Sequence, residues 1–320
     1  MTVVLGINDS DLAAATGSDA ALRRFLFGLP GVDQVGADAR AAALATRSMK
    51  ADTKRQMIDL AISMIDLTTL EGADTPSKVR ALCTKAQHPD PTDSTTPHTA
   101  AVCVYGDMVP HAVEALGASS PIQIAAVATA FPSGRASLDV KILDTRDAVA
   151  NGAHEIDMVI DRGAFLSGRY MQVFEEIQAV KQACDDAHLK VILETGELQT
   201  YDNVRRASWL AMMAGADFIK TSTGKIQPAA TPPVVVVMLE AVRDWHSLTG
   251  KHIGMKPAGG IRTTKDALKM LVLVNEITGE DWLNPNLFRI GASTLLNDLL
   301  MQRQRIRDGV YSGPNYVTVD

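Results

Sequence analysis

Short runs of apolar and β-branched residues recur along most of this chain, separated by stretches with helical spacing. The runs cover residues 64–70, 101–105, 122–129, 155–161, 189–195, 218–223, 252–258 and 287–292. Each run has strand length, and the segments between them, for example 170–186 and 202–214, are long enough for a crossover helix. Eight such strand–helix units of roughly 30 residues fit an α/β fold of the (β/α)8 TIM-barrel type better than an open sheet. A dinucleotide-binding sheet is disfavoured further, because no Gly-x-Gly-x-x-Gly follows the first run. Ahead of the first strand the chain is rich in alanine, with helical periodicity over 11–29 and 39–64 and a loop signal at Gly28, Pro30 and Gly31 between them. The expected organisation is a helical N-terminal extension (1–62) packed on a catalytic barrel (63–300), followed by a helix end and tail (301–320).

Composition narrows the function. The chain is 46% hydrophobic with a formal net charge of -6, a pI near 5.7 and a mean hydropathy of +0.04. Nothing in it suggests a basic nucleic-acid surface, and no apolar run approaches the ~20 residues of a membrane span. The first residues have neither a basic start nor an apolar core of the signal-peptide kind, so a cytoplasmic location and a small-molecule partner are expected. Three cysteines, Cys83, Cys103 and Cys184, form no Cys-x-x-Cys pair and read as reduced thiols. The histidines show no His-Glu-x-x-His or i, i+4 spacing, so neither a metal nor a cofactor is expected.

In this fold the active site lies at the C-terminal ends of the strands. The polar residues falling there are Asp66, Thr68, Thr69, Cys103, Asp157, Glu194, Lys220, Ser222, Lys256 and Ser293. Lys220 and Lys256 are the unusual pair. An ammonium is costly in an apolar strand buried on both faces, and neighbouring strands lie about 4.8 Å apart. Burial together with a second cation favours the neutral amine that a Schiff base requires. A lone strand lysine is as readily a snorkelling or ion-paired side chain, but two of them beside glycines point to chemistry. Asp157 alternates with Met158 and Ile160, so it faces the barrel interior, where a buried carboxylate needs a cationic partner and can relay protons. Asp66 is either a ligand for substrate hydroxyls or the N-cap of the next helix. Cys103 is expected near the mouth, with an ordinary core thiol as its bland alternative.

Glycine turns follow the last three strands. Gly224 with Lys225, Gly259 with Gly260, and Gly291 ahead of Ser293 and Thr294 lie in adjacent loops. Backbone N–H groups at such turns bind phosphate, and barrels place this site after the seventh and eighth strands. A reactive amine, a second cation and an anion cradle together suggest amine catalysis on a phosphorylated carbonyl compound.

Six segments in order, DLTTL (66–70), EIDMV (155–159), LETGEL (193–198), FIKTSTGK (218–225), KPAGGIR (256–262) and RIGAST (289–294), resemble the 2-deoxyribose-5-phosphate aldolases, class I aldolases, over residues 64–300. The resemblance implies reversible cleavage of 2-deoxy-D-ribose 5-phosphate to acetaldehyde and D-glyceraldehyde 3-phosphate, in deoxyribonucleotide catabolism, with no cofactor. It implies Lys220 as the Schiff-base lysine, Lys256 as the lysine that perturbs it and Asp157 as the proton relay. Asp66, Thr68, Cys103 and Thr223 fall on the substrate side, and Gly224, Lys225, Gly259, Gly260, Ser293 and Thr294 on phosphate-binding positions. The extension is similar to that of the longer members and bears on assembly, for which a homo-oligomer, most simply a dimer, is expected. Some members use a C-terminal tyrosine for proton transfer, and Tyr311 and Tyr316 are the candidates in this tail. The rival readings are a metal-dependent aldolase, for which no ligand cluster is seen, and a non-catalytic phosphosugar-binding barrel, which has no use for both lysines and Asp157.

Overall fold

The apolar runs form eight parallel strands: β1 (Ile65–Thr68), β2 (Ala101–Tyr105), β3 (Gln123–Ala128), β4 (Glu155–Val159), β5 (His188–Ile192), β6 (Phe218–Lys220), β7 (Gly254–Lys256) and β8 (Ile290–Ala292). The computed structural model describes residues 9–47 and 51–310. The sheet runs β7-β6-β5-β4-β3-β2-β1-β8, and the bridges Met255 to Phe288 and Ala258 to Gly291 bring its ends together, giving a (β/α)8 barrel. The ladders are shorter than the apolar runs. The run at 252–258 keeps only three ladder residues, because Pro257 has no N–H to donate.

Around the barrel lie α5 (Pro76–Gln87), α6 (Val109–Leu116), α7 (Leu138–Ala150), α8 (Arg162–Leu166), α9 (Tyr170–Ala183), α10 (Tyr201–Met213), α11 (Pro232–Thr249), α12 (Thr264–Ile277) and α13 (Leu295–Asp308). Their starts follow local chemistry. Thr75 accepts the Lys78 N–H ahead of Pro76, and Thr263 with Asp266 closes a capping box at α12. Ahead of β1 come α1 (Asp9–Ala15), α2 (Asp19–Gly28), α3 (Gln34–Leu44) and α4 (Ala51–Ser63). The two helical stretches expected there are thus each divided. The first breaks at residues 16–18, where the Ser18 side chain caps α2 by accepting the Ala21 N–H. The second starts at its own cap, Asp33, and ends at Leu44 before α4 begins.

These four helices share the core of the barrel. Leu22, Leu26, Ile58 and Ile62 are fully buried in the same apolar cluster as the outward faces of the strands. Ion pairs tie the layer down: Arg40 to Glu240 at 2.7 Å and Asp59 to Arg303 at 2.7 Å. Inside the barrel the packing is different. A small apolar group of Leu70, Cys103, Ala125 and Val127 and the ring of Phe218 share the interior with charged side chains, Lys190 and Arg289 lying over that ring. Among the described residues, no helix is long and apolar enough to cross a membrane.

Phe218 lies across Gly254 on the next strand, where any side-chain carbon would overlap the ring. Gly254→Ala is therefore expected to lose about 1–3 kcal/mol through overpacking, read as a lower midpoint in thermal denaturation. An unchanged midpoint would show that the ring has room to move.

Candidate active site

Strand register brings the charged residues together. Lys220 is the direct neighbour of Lys256 across β6 and β7, and Asp157 is the neighbour of Lys190 across β4 and β5. All four side chains meet inside the barrel. Lys220 Nζ and Lys256 Nζ both donate to Oδ2 of Asp157, each at 2.8 Å, while Lys190 Nζ donates to Oδ1 at 3.0 Å. Lys256 also reaches Asp66 Oδ2 at 2.5 Å. Arg289 links Asp66 at 2.7 Å to Glu155 at 3.0 Å, and Lys190 bonds Glu155 in turn. Gly291 makes room for this: a Cβ there would sit 3.1 Å from the Lys256 Cε and 2.9 Å from the Ala258 Cβ.

The network holds four cations, Lys190, Lys220, Lys256 and Arg289, against three carboxylates, Asp66, Glu155 and Asp157. Every member is at most 4% exposed, so solvent screens the excess positive charge only weakly. The proton shifts divide accordingly. Burial disfavours the Lys256 ammonium, yet Asp157 and Asp66 overcome it and hold this lysine well above its ordinary range. Lys190 is raised in the same way, burial being outweighed by Asp157, Glu155 and Asp66. For Lys220, burial comes first, Asp157 only partly offsets it, and Lys256 adds repulsion, so its pKa falls. Asp157 is held well below the carboxylate range: burial opposes ionisation, but Lys190, Lys220 and Lys256 together prevail. Lys220 is thus the member for which losing a proton relieves the imbalance.

Lys220 is also the one lysine of the network on the wall of a cavity of about 380 Å³ at the C-terminal end of the strands. Thr68, Thr69, Thr223, Gly224, Lys225, Gly259, Gly260, Ser293 and Thr294 share that wall. The loops after β6 and β7 touch there. Gly259 takes a positive φ of 80°, and a Cβ on it would lie 2.7 Å from Ala229 Cβ and 3.2 Å from Gly224 Cα. On the far side α13 starts at Thr294 with no side-chain cap, leaving its N-terminal N–H groups and dipole suited to an anion. Lys225 pairs with Glu71 across the mouth at 2.8 Å. Another cavity of about 400 Å³, between α3, α4, α12 and α13, contains none of the buried network.

Asp157, Lys256 and Asp66 lie behind the cavity rather than on its wall, each fully buried. Asp66 caps no helix; Thr75 does so for α5. Cys103 Sγ sits 3.9 Å from Asp157 Oδ2, and burial pushes its thiol up. Tyr311 and Tyr316 are outside the described residues. Lys190, Glu155 and Arg289 were not among the expected site residues. Lys190 carries the same signal as the other two lysines, a cation inside an apolar strand, and Arg289 stands just before one.

A family model described as DeoC/LacD family aldolase matches residues 60–301. A human protein named deoxyribose-phosphate aldolase is 49% identical over 267 residues, covering 81% of this chain and 84% of its own. A Caenorhabditis elegans protein named putative deoxyribose-phosphate aldolase is 51% identical over 240 residues, 75% of this chain and 79% of its own. Among solved structures, a putative deoxyribose-phosphate aldolase from Coccidioides immitis superposes with a TM-score of 0.64 at 30% identity, covering 83% of this chain and 98% of that one.

Removing the shared carboxylate leaves three buried ammonium groups short of a partner. Asp157→Asn is expected to cost about 3–5 kcal/mol near neutral pH, measured by chemical denaturation. Because the folded pKa of Asp157 is depressed, its contribution is complete above the unfolded value of about 3.9 and is lost as pH falls through the folded value. The gap between wild type and variant should therefore be constant from about pH 5 to neutrality and narrow below about pH 4. A gap independent of pH down to acid unfolding would contradict the ionised state of Asp157.

Proposed function

The chain belongs to the DeoC/LacD family of aldolases, and we propose that it reversibly cleaves 2-deoxy-D-ribose 5-phosphate to acetaldehyde and D-glyceraldehyde 3-phosphate through a Schiff base on Lys220. The observation that carries this reading is the sharing of one Asp157 oxygen by Lys220 and Lys256, with Lys220 alone of the pair on the cavity wall. The names of the relatives supply the substrate. The glycine turns and the uncapped start of α13 suit its phosphate.

In the proposed reaction the neutral Lys220 amine adds to the C1 carbonyl of the open-chain sugar. The nitrogen loses a proton and the carbinolamine oxygen gains one; a further proton, relayed through Asp157, lets that hydroxyl leave as water and gives the iminium, and it is returned when the last iminium is hydrolysed. Asp157 receives and returns protons, with Lys256 keeping it ionised between transfers. The C3 hydroxyl next gives up its proton, the C2–C3 bond breaks, and its electron pair moves to the iminium, leaving the enamine of acetaldehyde and free D-glyceraldehyde 3-phosphate. Protonation at C2 and hydrolysis release acetaldehyde and restore the amine. Thr68 and Thr69 lie on the wall near Lys220, in reach of substrate hydroxyls. Asp66 acts from behind by pairing with Lys256, and Cys103 is a neighbour of Asp157 without a step of its own. We assign the enzyme to deoxyribonucleotide catabolism in the cytoplasm, as a homo-oligomer, with a dimer the simplest closed form; sedimentation velocity reads the assembly directly.

Borohydride added with the sugar phosphate or with acetaldehyde is expected to fix a covalent adduct on Lys220, located by peptide mass mapping. Lys220→Ala should lose turnover to background, and turnover of the wild type should be unchanged by EDTA. An adduct on another lysine, or full activity in Lys220→Ala, would overturn the assignment.

A further inference from the structure

Glu194 stands at the end of β5, in the segment between the strand that carries Lys190 and the helix α10. It is fully buried and holds a φ of 54°, a left-handed conformation that side chains other than glycine and asparagine seldom adopt. Among the described residues, no lysine, arginine or histidine nitrogen comes within ion-pair distance of it. The hydrogen-bond partners of its carboxylate are all on one residue of the loop after β6. The Glu194 carboxylate accepts the Thr223 hydroxyl at 2.5 Å and the Thr223 N–H at 3.3 Å. The Thr223 hydroxyl oxygen in turn accepts the Lys225 N–H at 3.1 Å.

The two loops are fastened elsewhere as well. Thr195 N–H donates to the Thr221 carbonyl at 2.9 Å, and Gly196 lies so close to Pro228 that a side chain there would overlap the Pro228 carbonyl. A buried carboxylate with no cation in contact is costly to retain, and burial pushes the Glu194 carboxyl up against the pull of the Thr223 bonds and of the Arg162 charge. What it accomplishes is local. Residues 221–225 join Lys220 to the turn at Gly224 and Lys225, and Thr223, Gly224 and Lys225 are all on the cavity wall.

We propose that Glu194 is the positioning residue of the phosphate subsite: by clasping Thr223 it fixes the turn at Gly224 and Lys225, so that the cavity selects substrates bearing a phosphate. This rests on the aldolase reading above. Glu194 touches no reacting atom, so its loss weakens retention of the phosphate more than it slows the chemistry at Lys220.

The test compares wild type with Glu194→Gln, which keeps the shape and removes the charge and one acceptor. The Michaelis constant for 2-deoxy-D-ribose 5-phosphate is expected to rise about tenfold, the scale of one lost charge-assisted hydrogen bond, with the turnover number changing by less. Inhibition by inorganic phosphate should weaken in proportion. Thr223→Val breaks the same clasp from the other side, and the double variant should be no worse than the more affected single one. If Glu194→Gln does not fold, Thr223→Val carries the comparison. The proposal is overturned by a Michaelis constant and phosphate inhibition at wild-type values, by tighter phosphate binding, by a loss confined to turnover, or by additive effects in the double variant. Failure of the wild type to cleave the sugar phosphate would instead refute the aldolase reading, while inorganic phosphate binding to the two proteins, measured by calorimetry, still reports on the clasp.

Discussion

Four buried cations share three buried carboxylates at the centre of the barrel, and the surplus of one positive charge organises the site. Each ion taken from water costs several kcal/mol that only close, well-directed pairing offsets. Asp157 is the member most heavily shared, with two lysines on one oxygen and a third on the other. Lys190, Lys256 and Arg289 each have carboxylates to spare beyond it or apart from it, whereas Lys220 has Asp157 alone. The excess proton is therefore cheapest to lose at Lys220, and the network becomes balanced when that amine is neutral. The same residue is the one the cavity reaches.

The fold supplies this arrangement through register and through what it leaves out. Parallel pairing sets the like charges of Lys220 and Lys256 side by side and the opposite charges of Asp157 and Lys190 side by side, so each of those strands carries a charged inward residue. Glycine at 291 admits the Lys256 stem, and glycine at 259 lets the loops after β6 and β7 meet. The outward faces of the strands and the helices around them, including the four N-terminal ones, form the apolar cluster that holds the barrel closed. Stability is thus concentrated outside the sheet, and the charged chemistry inside it.

Much of this was legible in the chain. The alternation of apolar runs with helical stretches gave the eight units, and the unusual lysines at 220 and 256 with Asp157 marked the interior of the mouth, because a charge in an apolar strand has few structural excuses. The same rule applied evenly marks Lys190, the buried partner of Glu155. What it does not show is which carboxylate each cation meets, since that depends on strand register and barrel closure rather than on spacing in the chain. Asp66 illustrates the limit: its position at the end of β1 suggested contact with substrate or a helix cap, and only the closure of β1 on β8 puts Arg289 and Lys256 against it. The breaks at residues 16–18 and 45–47 escaped the periodicity because alanine-rich, helix-favouring segments lead into both. The roles expected of Tyr311 and Tyr316 fall outside the described residues.

The central claim is that Lys220, alone among the three lysines of the network, is poised to be neutral. Nuclear magnetic resonance titration of lysine side-chain 13Cε and 15Nζ signals, assigned by single Lys→Arg replacements, measures this directly in the unliganded protein. Lys220 is expected to titrate below the ordinary lysine value of about 10.4, while Lys190 and Lys256 stay protonated as far as the fold survives. Titration of Lys220 at or above that value, or loss of the Lys256 proton before that of Lys220, would contradict the account.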